Sequence, residues 1–444
     1  MKSETFKMNS IDFLLFSQED IVTSQGLFSS IRFKTRHSAS EIRKAMRYML
    51  TVYPRLRSIA EPTMFSYRMR VLDDSDPKVD ILFDEAFKVR YGLSCDTADF
   101  LKYRRDLLNE PFALQQSFPI KIRYIPDDPM PMLFISVHHM IYDGSGWLHL
   151  LNSLMSYLNG VIPPIQSAEE PSIIRGFLER PFYKVPQQIL NSIKADEKGK
   201  KEKKKIIHAS ERPVNFYGPM DIHIQNLSHD LSTILAGAKR LNCSMTVLVL
   251  SALSMALNRK DAGDLIWIEK PIDLRPYMTS DRQPVFGNYV MAPVIKVDMG
   301  QNPDPLIIVE TIKDQINKYL KAIENKQILP LLLTVKLSTF LGKKVYAWTA
   351  RVLKERGIIN KTCLFSNVGN FDNLNRHGDR SQVVEAGCGT SSHALLIVMN
   401  SLNNAINLSF SYQEAEFTRE EIIGIIERTD RSIAALLGIK KVIS

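Results

Sequence analysis

The run Met132 to His139 constrains this chain most: MLFISVHH is nearly all apolar, has the length of a strand, and ends in two histidines before a polar turn. So short an apolar run, bounded by turn signals, reads as a strand. Behind it, Trp147, Leu150, Leu151, Leu154 and Leu158 recur at helical spacing, and Gly160 stands where a helix ends, with Pro163 and Pro164 beyond. Strand, short loop and amphipathic helix in sequence call for a sheet with a helix laid on it. The loop carries Asp143 and Gly144.

The same alternation runs through the chain. Strands are expected at Gly26–Phe33, Val79–Phe83 (after the turn-like DDSDP), Ile120–Ile125, Met220–Gln225, Leu265–Ile268, Tyr289–Val297, Cys363–Val368, Leu395–Asn400 and Ile406–Tyr412. Ser38 and Glu41 form a capping box for a helix that Pro54 ends, and Thr418 and Glu421 cap a final helix to about Leu437. Further helices are expected near Asp99–Leu108, Asp230–Leu241, Met245–Leu257 and Leu306–Ile323, with a less regular region after the last. The fold class is therefore α/β or α+β with sizeable sheets. At 444 residues the chain is long enough for two or three units. The boundary falls at 195–213, a basic and exposed linker between an N-terminal part (1–194) and a C-terminal part (214–444).

Seven lysines against three acids in residues 194–205 supply +4 of the +9 net charge. This run reads as a solvated lysine face, with a docking patch for a phosphate or an acidic carrier as the alternative. No aromatic-interleaved RNA-binding signature, zinc-finger spacing or helix-turn-helix is present, so nucleic acid is not an expected partner. No stretch has the roughly 18 to 20 apolar residues of a membrane-crossing helix, and the start lacks an export signal. The four cysteines show no metal-ligand spacing, which fits reduced thiols and a cytoplasmic location.

Neighbouring side chains of a strand point to opposite faces, so only one of His138 and His139 can serve a given site. A histidine at a strand end beside a glycine-containing loop is held by the sheet yet open to a cleft, and its pKa of roughly 6.5 suits general-base work. Asp143 could orient that imidazole or pair with a distant arginine, and Gly144 allows a close approach. A structural histidine pair with a loop-capping aspartate reads equally well from these residues alone. A metal site is a weaker reading because a catalytic zinc needs three ligands in reach, and a serine elbow at Ser145 fails because Asp143 and Trp147 stand where glycines are needed.

The string HHMIYDG (His138–Gly144) resembles the HHxxxDG signature of the superfamily that includes chloramphenicol acetyltransferase, peptide-synthetase condensation domains, plant BAHD acyltransferases, and bacterial alcohol and polyketide-associated acyltransferases. YPRLRS (Tyr53–Ser58), NEPFALQQSFPIKIRYI (Asn109–Ile125), PIDLRPYM (Pro271–Met278), VFGNYVMAPV (Val285–Val294), FSNVG (Phe365–Gly369) and INLSFSYQEAEFTREEI (Ile406–Ile422) are similar to other segments of that superfamily. The Asp-Phe-Gly-Trp-Gly motif of the plant branch is missing, and the resemblance of the Gly-Asn and Ser-Asn-x-Gly segments points to the alcohol-acyltransferase and condensation-like side, nearest the bacterial alcohol or polyketide-associated branch.

The resemblance implies two chloramphenicol-acetyltransferase-like subdomains with a channel between them. It implies an acyltransferase that moves an acyl group from a thioester to a hydroxyl and, second, to an amine. The donor would be acyl-CoA or a phosphopantetheine-linked acyl group, with an acyl carrier protein as a further partner and no permanently bound cofactor or metal. His139 would be the base, supported by Asp143 and Gly144. His138 would be structural and Arg275 the partner of Asp143, while Asn288, Ser366 and Asn367 are the candidates for contacting substrate or the reaction's oxyanion. Two other readings stay open: a free-standing condensation enzyme that forms amides from carrier-bound substrates, and a non-catalytic binding module of the same fold.

Overall fold

Long apolar strands dominate the architecture. The computed structural model describes residues 4–21, 24–63, 67–95, 97–178, 184–188, 205–259, 264–280, 283–300, 303–356, 361–378, 380–392 and 394–438. The sequence before the lysine run supplies β1 (Gly26–Phe33), β2 (Phe87–Val89), β3 (Ile120–Ile125) and β4 (Met132–His138). Beyond it come β5 (Met220–Asn226), β6 (Leu265–Glu269), β7 (Val294–Asp298), β8 (Cys363–Asn370), β9 (Val383–Thr390), β10 (Leu396–Leu402) and β11 (Ala405–Gln413).

Two mixed sheets result, ordered β9-β1-β4-β3-β2 and β7-β6-β8-β10-β11-β5. Every residue of β4 is buried, as expected of a strand with neighbours on both sides and side chains packed on both faces. The first helices of the chain are α1 (Ser10–Gln18), α2 (Ala39–Val52), α3 (Pro77–Ala86), α4 (Ala98–Asn109) and α5 (Gly144–Leu158), of which α1 and α5 reach the site. Packing of α5 through Leu150, Leu151 and Leu154, all fully buried, makes the strand-loop-helix unit part of the first core. Gly160 has φ +85°, the left-handed conformation that closes a helix without a Cβ penalty.

Four expectations need correction. Val79–Phe83 is helical: Asp76 caps α3 by accepting the Lys78 N–H at 2.9 Å and Pro77 opens its first turn, so the residues that suggested a turn before a strand start a helix. Tyr289–Val297 is not one strand but a two-residue piece, Val290–Met291, and then β7, divided at Ala292 and Pro293. The region after Ile323, expected to be irregular, forms helices at Leu329–Ser338 and Lys343–Glu355. Residues 195–204 of the expected exposed linker lie outside the described residues, and 211–213 are exposed as expected, but 206–210 are packed: Ile207 is fully buried and its N–H donates to Leu265 O at 2.8 Å.

An unexpected strand ties the two parts together. β9 comes from the C-terminal part yet pairs with β1 along Leu27–Phe33. Its glycines let it pack closely on the second sheet: a Cβ at Gly387 or Gly389 would stand 2.6 or 2.7 Å from the side chains of Ile224 or Ile222 on β5. Among the described residues no single helix is long and apolar enough to cross a membrane.

Candidate active site

The sheet ladder delivers His139 to the end of β4. Gly26 pairs with His138, and one residue further the His139 N–H donates to Gln25 O at 2.7 Å, so the backbone is still held by β1 where the strand ends. On the other side the His139 carbonyl accepts from Asn288 Nδ2 at 2.7 Å. The ring is fixed through Nδ1, 2.9 Å from the carbonyl oxygen of Tyr142. A carbonyl only accepts, so Nδ1 carries the proton and the lone pair sits on Nε2. Burial pushes the imidazole below its ordinary 6.5, against the opposing pull of its backbone contacts and Asp143, which leaves it neutral at pH 7.

His139 lines a cavity of about 510 Å³ bounded by both parts of the chain. Leu14, Leu15 and Trp147 contribute from one side, and Val290, Leu332 and Val398 from the other. The walls are mostly apolar, so a base here acts in a poorly solvated space where polar interactions are strong.

His138 points elsewhere. Its Nε2 lies 3.0 Å from Glu19 Oε2, its Nδ1 accepts the Met140 N–H at 3.2 Å, and Phe112 meets the ring edge-on at 5.4 Å. Burial works to raise the Glu19 carboxyl, but hydrogen bonds from His138 and from the Phe112 and Gln25 N–H groups hold it below the ordinary carboxylate range. Both ring nitrogens of His138 are thus occupied, which removes it from any shared metal site with His139. Among the described residues no group of three His, Cys, Asp or Glu side chains could hold a metal ion.

Asp143 caps α5 and ties the loop to the C-terminal part. Oδ1 accepts the Gly146 N–H at 3.1 Å, while Oδ2 accepts from Arg275 Nη1 at 2.7 Å and from the Tyr289 N–H at 2.9 Å. Arg275 also donates to Asp273 Oδ1, Pro284 O and Gly287 O. Burial works against its charge, but Asp143 and then Asp273 outweigh that and lift its pKa further. Because Asp143 follows Tyr142 in the chain, this buried pair also sets the carbonyl that orients His139.

Gly144 lies against Val368, where an added Cβ would stand 3.1 Å from Cγ1. Gly146 is tighter: a Cβ there would meet the Val285 carbonyl oxygen at 2.4 Å and Tyr142 Cδ1 at 2.7 Å. Gly146→Ala should therefore destabilise by about 1 to 3 kcal/mol, read from denaturant midpoints, and by more than Gly144→Ala.

The three candidates for substrate contact separate. Ser366 lines the cavity, but Asn367, next along β8, faces away and donates to Thr246 Oγ1 at 3.0 Å. Asn288 is fully buried and commits both amide protons, one to Asp12 Oδ1 at 2.9 Å and one to the His139 carbonyl. Asn288 therefore positions the histidine's backbone and cannot donate to a substrate. Asp12, buried between Asn9 and Asn288, has its carboxyl raised by burial to about 6 although Arg55 and these hydrogen bonds pull it down.

Sequence reasoning missed several polar groups of the residues that wall the cavity. Trp147 Nε1 and the Thr390 and Ser391 hydroxyls are buried, belong to residues that line the cavity, and have no partner among the described residues. Trp147 had been read only as part of a buried stripe, and nothing local in Thr390 or Ser391 marks them. The four cysteines form no disulfide among the described residues, and burial pushes the Cys388 thiol in the cavity wall up to about 12, so it is no nucleophile at neutral pH.

The fold is similar to that of solved condensation domains and of one solved acetyltransferase. The first condensation domain of the calcium-dependent antibiotic synthetase superposes with a TM-score of 0.71 at 11% identity, covering 99% of this chain and 98% of that one. The trichothecene 15-O-acetyltransferase from Fusarium sporotrichioides gives 0.64 at 14% identity, with 97% and 95% covered. The epimerization domain from the third module of tyrocidine synthetase B gives 0.63 at 12%, with 98% of each chain covered. No family model matches the sequence, and no curated protein matches it.

Proposed function

We propose that this chain is an acyltransferase that moves an acyl group from a thioester to a hydroxyl acceptor, with His139 as general base. The observation that carries the reading is the single free ring nitrogen: Nδ1 is held by Tyr142 O, and the lone pair on Nε2 belongs to a ring that lines the cavity. As the acceptor oxygen attacks the thioester carbonyl, Nε2 takes its proton. The tetrahedral intermediate then collapses, the C–S bond breaks, and the imidazolium returns the proton to the departing thiolate. The negative oxygen formed in between needs donors, and Ser366, which lines the cavity, is available for it.

The donor is acyl-CoA or a phosphopantetheine-linked acyl group, and the apolar walls suit an acyl chain. The likeness to condensation domains supports a second reading, amide formation from carrier-bound substrates. Thiol release from a panel of acyl-CoAs and loaded carrier proteins, with and without alcohols and amines, separates the two, with products identified by mass spectrometry. Acceptor-dependent release and an ester product are expected. Transfer only from a loaded carrier to an amine favours condensation, and no transfer from any donor leaves a binding module.

The acid limb of the pH profile follows from the burial of His139. Only the neutral ring is a base, and its pKa is lowered, so kcat/KM should fall on acidification with a midpoint below pH 6.5 and stay level through pH 7. A midpoint at or above 6.5 contradicts the assignment.

A further inference from the structure

The helix Leu329–Ser338, LPLLLTVKLS, is apolar on both faces but covered on only one. Leu332 and Val335 turn to the cavity wall, whereas Leu337 is 66% exposed. The exposed ridge continues through Phe340 (78%) and Leu341 (60%) to Val345 and Trp348 on Lys343–Glu355. Six exposed large apolar side chains, from Leu331 to Trp348, thus fall within one segment. Water-facing groups of this kind in one segment mark a surface that meets something apolar.

Charge and length indicate what that is. Residues 329–356 hold six lysines and arginines against one acid, and Lys336, Lys344, Arg351 and Arg356 are exposed. Of the neighbouring acids, Asp20 is engaged by Lys343 at 2.7 Å, and the Asp20 carbonyl accepts from Arg351 at 3.2 Å. The apolar run Leu329–Leu341 is too short to span a bilayer, which takes about 20 residues. An apolar face with Trp, Phe and Leu, rimmed by basic residues, is the composition of a helix lying in the headgroup layer.

We infer that the segment 329–356 docks the protein on an anionic membrane surface, with Phe340, Leu341 and Trp348 entering the headgroup region. Leu331 connects this face to the cavity, since it is half exposed and also lines the chamber. The docked enzyme would then present its cavity to membrane-resident substrates carrying aliphatic chains. Docking stands apart from the acyltransferase reading, and only this last consequence rests on it.

Flotation of the full-length protein with vesicles tests the docking. Vesicles of phosphatidylcholine with 30% phosphatidylglycerol should carry the protein at 0.1 M salt, and pure phosphatidylcholine should carry about ten-fold less. Trp348 emission should shift to the blue on binding, a change lost in Trp348→Phe. Phe340→Asp/Leu341→Asp, at positions exposed in the free protein, should remove binding while leaving the unfolding midpoint unchanged. His139→Ala should bind vesicles as wild type does, so a failed acyl-transfer assay cannot be mistaken for failed docking. Wild-type protein that stays unbound overturns the inference. So does binding untouched by the double aspartate variant, or a ridge that proves by sedimentation to join two copies or an acidic carrier protein instead.

Discussion

His139→Ala is expected to lower acyl transfer by about 10² to 10⁴-fold, the usual contribution of a positioned base, with the fold retained. The imidazole makes one hydrogen bond, to the Tyr142 carbonyl, and packs against a cavity already present, so its removal enlarges a space and does not strand a buried charge. His139→Gln sharpens the result. Glutamine can keep a donor on the Tyr142 carbonyl but cannot take up a proton, so a comparable loss separates proton transfer from packing. Thiol release in the presence of acceptor reads both variants.

Asp143→Ala should have the largest effect on stability, about 3 to 5 kcal/mol in denaturant unfolding, because it leaves Arg275 buried beside a missing partner. The Gly146 and Tyr289 N–H groups lose their acceptor as well, while Asp273 still neutralises part of the guanidinium charge, which keeps the loss towards the lower end. Activity should fall too, since the loop that Asp143 anchors carries the carbonyl holding His139. Replacing Arg275 by methionine in the same chain should recover part of the stability, as no buried charge is then left unpaired.

Much of this was legible in the residues. The strand-loop-helix unit was readable because two periodicities change within a few positions, and the capping pairs Ser38–Glu41 and Thr418–Glu421 mark helix starts by their spacing. The Glu41 N–H donates to Ser38 Oγ, and the Glu421 N–H to Thr418 Oγ1. The Asp143–Arg275 contact joins residues 132 apart and was reachable only through the resemblance of the DLRP segment.

What escaped depends on distant packing. β9, VVEAGCGT, carries two glycines that weaken a strand signal, and its partner β1 lies far back in the chain. Ser366 and Asn367 were both named, although strand alternation allows only one to face the cavity, as had been argued for the two histidines. Asn288 looked like a donor for substrate because a sequence does not show where an amide's protons go. Its tie to Asp12, 276 residues earlier, consumes one of them.

The most direct measurement is ¹⁵N NMR of histidine-labelled protein at pH 7, with His139 assigned by its loss in His139→Gln. The account predicts a neutral ring protonated at Nδ1, with Nε2 giving the signal of an unprotonated nitrogen. A ring protonated at Nε2, or an imidazolium, would mean that His139 has no lone pair to offer a substrate.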